Sequence, residues 1–211
     1  MPFRDRKDAG QQLAKAMPDL KGQNCVVLAL PRGGVPVAAE VAAALQAPLG
    51  LILVRKIGAP DQPELAIGAV VDGGAPIVVR NDEIMRMSGT REAEFNAICT
   101  RELAEIERRR TLYLGDRPPL DPNGRVAIVV DDGLATGATM RAALRATRKR
   151  SPKMLIMAVP VAPPDTLESL RGEADRIVCL ESPEAFGAVG FFYRNFSQVS
   201  DSEVIAYLSK S

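Results

Sequence analysis

The chain has 211 residues, 46% of them hydrophobic, enough for one sizeable buried core. Its 27 Lys and Arg nearly balance 26 Asp and Glu, which leaves no field of one sign to draw nucleic acid or a membrane surface, so a charged ligand must be met by local groups. There is no histidine at all, which excludes a His-ligated zinc site and any Ser-His-Asp or Cys-His nucleophile.

The N-terminal stretch lacks the apolar core of a signal peptide, and no apolar run approaches the roughly 20 residues that span a bilayer, so the cytoplasm is the expected location. Short Val/Ile/Leu-rich runs then recur at residues 25–30, 51–54, 77–79, 126–130, 154–159 and 176–179. Runs buried on both faces and separated by helical patterns predict an α/β fold with a doubly wound, mainly parallel central sheet. Helical spacing follows the first run at Ala38, Val41, Ala42 and Leu45, and follows the run at 126–130 at Met140, Ala143, Leu144 and Thr147. Phe95, Ile98, Cys99, Leu103 and Ile106 mark a longer helix over 90–113, stopped by Gly115. RPPLDPNG, residues 117–124, reads as a connector inside one domain.

The basic runs Arg108-Arg109-Arg110 and Arg148-Lys149-Arg150 read as solvated helix ends, where cations complement the dipole. Cys25, Cys99 and Cys179 are an odd number at wide spacing, two of them in strand-like runs, and are expected to be buried thiols in a reducing compartment. Near the C-terminus Phe186, Phe191, Phe192, Tyr193 and Phe196 hold five of the nine aromatics, and Ser200-x-x-Glu203 is a capping box that opens a short helix. The expected organisation is an α/β core over 1–180 and a small C-terminal aromatic hood with its helix over 181–211, both in one domain.

The chemistry concentrates in VAIVVDDGLATGAT, residues 126–139. In an open parallel sheet, ligands bind beyond the carboxyl ends of the strands, and Asp131-Asp132 falls where a strand runs out. Two adjacent carboxylates suit a vicinal diol, whose hydroxyls donate to an acceptor. The residues Ala135, Thr136, Gly137, Ala138 and Thr139 are small, hydroxyl-rich and open a helix, so backbone N–H groups and the helix dipole would face a phosphate. Diol and phosphate on neighbouring residues spell a ribose 5-phosphate. The segment is neither a P-loop nor GxGxxG. An acidic turn capping a helix would account for Asp132 and Gly133 but not for the hydroxyl-rich start.

IVVDDGLATGAT closely resembles the phosphoribosyl-pyrophosphate (PRPP) signature of the type I phosphoribosyltransferases. The resemblance implies that Asp131 and Asp132 hold the ribose hydroxyls and that Ala135 to Thr139 hold the 5-phosphate. Gly133 departs from the branched apolar residue usual there. Pro31-Arg32-Gly33-Gly34 resembles the family's pyrophosphate loop, with Arg32, Gly33 and Gly34 as its binding residues; taken alone it could equally be a glycine turn. Arg55-Lys56, read as a strand end, suits a pyrophosphate leaving group, Arg as a fork and Lys as a point charge. The stretch 57–68 after it resembles the family's mobile loop, which closes over the reacting centre; an ordinary surface loop is the alternative.

The implied reaction displaces pyrophosphate from C1 of PRPP by a small nitrogenous acceptor. Magnesium is expected on the pyrophosphate oxygens, with no protein-ligated metal site of its own. Asp131, Asp132, Lys56 and Glu64 are the candidate catalytic residues, Glu64 as proton acceptor. Position 135 is Ala, whereas relatives acting on 6-oxopurines place an Asp there; the alanine resembles the adenine and uracil enzymes without naming a base. Tyr193 in the hood is the candidate base contact, although clustered aromatics are more often core. A homodimer is compatible with the chain, and nucleic-acid or membrane partners are not expected. The alternative is a non-catalytic PRPP- or nucleotide-binding regulator of the same fold; a hydrolase or kinase acting on ribose phosphates is a third class.

Overall fold

A computed structural model describes residues 2–72 and 76–210 of the chain. Five of its strands form one parallel sheet in the order β2-β1-β6-β7-β8: β1 Cys25–Ala29, β2 Leu49–Leu51, β6 Val126–Val130, β7 Met154–Val161 and β8 Arg176–Glu181. The aliphatic runs form strands because both faces of this sheet are covered. Val126, Ile128 and Val130 belong to one core cluster and Ala127 and Val129 to the other, the alternation that a pleated strand imposes. All five residues of β1 and all five of β6 are buried.

Helices α1 (Arg6–Lys15) and α2 (Gly34–Leu45) lie on one face, while α5 (Ala138–Arg148) and α6 (Pro164–Leu170) supply the other. The faces expected from spacing are the buried ones: Ala38, Val41, Ala42 and Leu45 in α2, and Met140, Ala143, Leu144 and Thr147 in α5. The fold is therefore the doubly wound α/β arrangement expected, with two additions.

The first is a separate antiparallel sheet of three strands, β3 Val54–Ala59, β4 Gln62–Val71 and β5 Ile77–Arg80, packed between α4 (Glu92–Leu114) and α5. Three expectations change with it. Residues 77–79 do form a strand, but in this sheet and not the parallel one. The strand expected over 51–54 is two strands, β2 ending at Leu51 and β3 starting at Val54, so Arg55 and Lys56 lie inside a strand instead of at its end. The loop expected over 57–68 is a paired hairpin turning at Pro60 and Asp61. Its register shifts on both sides of Gly58, a position that only glycine fills because a Cβ there would overlap the Pro63 carbonyl oxygen. A bulged hairpin with Gly and Pro in it does not keep the period of two that announces a strand.

The second addition is α1. Its N-cap Asp5 accepts from the Asp8 amide at 2.8 Å. Gly10, which reads as a helix breaker, is where α1 meets α2: a Cβ there would stand 2.5 Å from the Val37 carbonyl oxygen. At the other end, α3 (Asp82–Met87) leads into α4, and α7 (Asp201–Leu208) starts at the Ser200–Glu203 capping box that the sequence showed. The Arg108–Arg110 run pairs with Glu105 and Glu107 on the surface of α4, which holds the Glu105 carboxyl down at about 2. Cys25 and Cys99 are buried and Cys179 is half-buried, all three free thiols; burial pushes each of them up, Cys179 to about 11. Among the described residues, no helix is long and apolar enough to cross a membrane.

Candidate functional site

The parallel sheet changes winding direction between β1 and β6. From β1 the chain crosses through α2 to β2 on one side, and from β6 it crosses through α5 to β7 on the other. The loops leaving the carboxyl ends of β1 and β6 therefore diverge and leave a crevice between them, where ligands bind in such sheets. Both expected loops of the site open on this crevice.

The first loop is tied to the second at its root, the Leu30 amide donating to the Val130 carbonyl at 2.9 Å. Gly33 and Gly34 then press against the acidic pair. A Cβ on Gly34 would stand 2.8 Å from the Val130 carbonyl and 2.9 Å from the Asp131 Cα, and one on Gly33 would overlap Asp132 Oδ2. Both glycines are thus required by close approach. Gly33 is the N-cap of α2, and the first two amides of that helix close the loop itself, Gly34 donating to the Leu30 carbonyl at 3.1 Å and Val35 to the Arg32 carbonyl at 3.2 Å.

The second loop carries the acids. Asp131 Oδ1 accepts the Asp132 amide at 2.9 Å. Burial, and then the neighbouring Asp132 charge, raise the Asp131 carboxyl well above the usual carboxylate range. Beyond them Leu134 donates its amide to Val161 and anchors the loop to β7. Ala135, Thr136, Ala138 and Thr139 stay exposed. Gly137, at φ +72°, is the N-cap of α5 and again makes no side-chain cap, so the amides at that helix start face solvent as a ready anion site. Thr166 of α6 braces the loop by donating to the Ala135 carbonyl at 2.6 Å.

Gly133 has a structural cause. Its φ is +157°, and a Cβ there would come within 2.6 Å of Val189 Cγ1 and 3.0 Å of Val161 Cγ1. The space where a branched side chain is usual is filled here by Val189 from the C-terminal segment.

Several contacts at this site were not legible in the sequence. Arg6, the first residue of α1, places its Nε 2.7 Å from Asp132 Oδ2, with the two side chains only 11% and 13% exposed. Its guanidinium also donates to the Ser197 carbonyl at 2.6 Å and lies 3.9 Å over the Phe196 ring. Asp201 at the start of α7 accepts the Tyr113 hydroxyl at 2.6 Å and stands 3.7 Å from Arg32 Nη1, so α7 reaches the first loop. Burial and that hydrogen bond push the Tyr113 phenol up to about 12.

Tyr193 has a different task from the base contact expected of it. It is buried, packed between Phe3 and Phe196, and its hydroxyl donates to the Asp132 carbonyl at 2.5 Å. Burial, with the Asp132 charge next, raises this phenol. Of the rings in the C-terminal segment Phe191 is the most exposed, at 78%, with Phe196 next at 37%.

On β3 the two cations point to opposite sides, as alternation requires. Arg55 pairs with the buried Glu102 of α4 at 2.9 Å. Lys56 lines a cleft of about 220 Å³ together with Ala138 and Thr139 at the start of α5, and its Nζ pairs with Glu64 at 3.0 Å. Glu64 is 98% exposed. Only Lys56 of the two thus shares a cavity with the loop after β6.

A family model described as phosphoribosyl transferase domain matches residues 5–194. Two Mycobacterium tuberculosis proteins, from strains CDC 1551 / Oshkosh and ATCC 25618 / H37Rv, carry provisional phosphoribosyl transferase names. Each is 46% identical over 209 residues, covering 99% of this chain and 47% of its own length. The chain thus spans about half the length of the curated relatives it matches. Among solved structures, TT1426 from Thermus thermophilus is 42% identical, with a TM-score of 0.88 over 100% of this chain and 99% of that one. The AQ2163 protein of Aquifex aeolicus shares the fold at a TM-score of 0.53 and 15% identity, over 88% of this chain and 78% of that one.

Proposed function

The chain belongs to the phosphoribosyltransferase family, and from that premise we propose that it transfers the 5-phosphoribosyl group of PRPP to a nitrogen nucleophile, a nucleobase or similar small acceptor, releasing pyrophosphate. The observation that carries this reading is the convergence at the β1/β6 crevice. The arginine-glycine loop that enters α2 and the uncapped start of α5 flank an acidic pair that only glycine at 33 and 34 allows so close. Anion, diol and anion is the order of groups along PRPP.

In this reading the amides of Ala135 to Thr139 and the two threonine hydroxyls hold the 5-phosphate, and Asp131 with Asp132 accepts the ribose hydroxyls. The backbone of Gly33 and Gly34 and the Arg32 guanidinium take the pyrophosphate, and Lys56 adds a point charge from the hairpin side. Arg55, spent on Glu102, braces the hairpin instead. The bond from C1 to the pyrophosphate oxygen breaks, and the bond from C1 to the acceptor nitrogen forms. The acidic pair lies near the positive charge that develops on the ring, and the nitrogen's proton leaves to a base, for which Glu64 is the candidate on the hairpin.

Among the described residues no group of three or more His, Cys, Asp or Glu is placed to hold a metal. The acids at the crevice suit a diol, and the pyrophosphate oxygens are the better magnesium donors. Bound there, magnesium would neutralise the leaving charge.

The test is to incubate the protein with PRPP, magnesium and a panel of purine and pyrimidine bases and to follow pyrophosphate. Base-dependent release is expected for at least one member. PRPP binding without release for any base would replace the transferase by a PRPP-binding regulator.

A further inference from the structure

We infer that Arg6 of α1 is a positioning residue for the ribose diol: it fixes the Asp132 carboxylate through one oxygen so that the other is presented to the sugar. The inference rests on the PRPP reading of the crevice and adds a residue from outside both motif loops.

Two observations converge on one carboxylate oxygen, and a third fixes the backbone of the same residue. Arg6 Nε donates to Asp132 Oδ2 at 2.7 Å, and the missing Cβ of Gly33 leaves room for the Asp132 carboxylate, with Oδ2 nearest. Oδ2 is therefore enclosed by the guanidinium on one side and the loop after β1 on the other. No N–H among the described residues donates to Oδ1, and the one side chain that shares a hydrogen bond with this carboxylate besides Arg6 is its neighbour Asp131. The Asp132 carbonyl is held from a third direction by the Tyr193 hydroxyl. The whole residue is thus oriented before any ligand arrives, as a diol acceptor should be.

Arg6 is itself held in place. Its guanidinium rests on the Phe196 face and donates to the Ser197 carbonyl, and it is largely buried. A guanidinium held by a ring, a carbonyl and a carboxylate does not swing as a gate. It also sets a positive charge beside two adjacent carboxylates, which lowers their repulsion of an anionic ligand.

The N-terminal segment is built into the hood for the same reason. The Phe3 amide donates to the Phe192 carbonyl, and the Phe3 and Arg4 carbonyls accept from Arg194 and Asn195. α1 therefore reaches the crevice with the aromatic segment as one unit.

The experiment is calorimetric titration of PRPP with magnesium into the wild type, Arg6→Ala, Arg6→Lys and Phe196→Ala, with melting curves for each. Loss of a charge-assisted hydrogen bond that aims the acceptor should weaken PRPP binding by Arg6→Ala about tenfold or more. Arg6→Lys should fall between, and millimolar methylguanidinium should restore much of the affinity of Arg6→Ala. Phe196→Ala removes one of the three holds on the Arg6 guanidinium but leaves the Arg6–Asp132 pair and the Ser197 contact, so its loss of affinity should stay well below that of Arg6→Ala even if it melts earlier.

Wild-type affinity or tighter binding in Arg6→Ala would overturn the inference. So would a loss in Phe196→Ala as large as that in Arg6→Ala, because Arg6 would then act only through docking of the hood. Absence of PRPP binding by the wild type would instead remove the PRPP reading itself, and this inference with it.

Discussion

The carboxyl edge of β1 and β6 and the hairpin of β3 and β4 both carry expected site residues, and they are built in opposite ways. Every residue of β1 and β6 is buried, and their loops are locked to each other by glycines that leave no free space. In β3 the pattern is half-exposed, and the outer half of β4 is exposed, with Lys56 and Glu64 paired across the surface. A grip on the donor needs atoms fixed to a few tenths of an ångström, which a close-packed core supplies. A cover over the donor needs to open, which few buried contacts allow. On the proposed reading, this difference fits a crevice that grips the donor and a hairpin that covers it.

The sharpest way to break that assignment is to crowd one glycine in each region. Gly33→Ala would drive a carbon into Asp132 Oδ2, and PRPP affinity should fall by more than about a hundredfold, roughly 3 kcal/mol. Gly58→Ala would crowd the Pro63 carbonyl within the hairpin, and it should leave PRPP affinity within about threefold of wild type while lowering turnover. Equal losses of affinity in both variants would erase the distinction. Next in size is Gly133→Leu, which pushes against Val189 and Val161; overpacking of about 1–3 kcal/mol should lower the melting temperature by several degrees. Val189→Ala should recover part of that loss, and additivity in the double variant would show that the two residues do not compete for one space.

The smallest effect concerns Asp131. Its carboxyl is raised by burial and by Asp132, so the folded protein keeps that proton to higher pH than the unfolded chain does. The contribution favours folding below the ordinary carboxylate range and is lost as pH climbs through the raised value. Asp131→Asn should therefore melt about 2–4 °C above wild type near pH 8, with the gap closing toward pH 4, while its response to PRPP disappears. A gap that does not change with pH would contradict this account.

The crevice was legible because its signals are local. A buried strand, two acids and a small hydroxyl-rich helix start lie within 126–139, and the glycines of the partner loop sit next to another buried strand. The hairpin was not legible as strands, since Gly58, Pro60, Pro63 and Gly68 interrupt its alternation. Gly10 hid α1 in the same way: it reads as a flexible point but is a contact with α2. Arg6 lies 126 residues from Asp132 along the chain, and nothing near it announces a partner. Tyr193 was noticed for its ring, whereas its place is decided by its hydroxyl and by Phe3.

The central claim is that the crevice between β1 and β6 binds PRPP, and calorimetric titration tests it most directly. With magnesium present, the wild type should take up one PRPP per chain, and Asp131→Asn combined with Asp132→Asn should show no saturable heat. Absence of binding by the wild type, or unchanged binding by the double variant, would contradict the account.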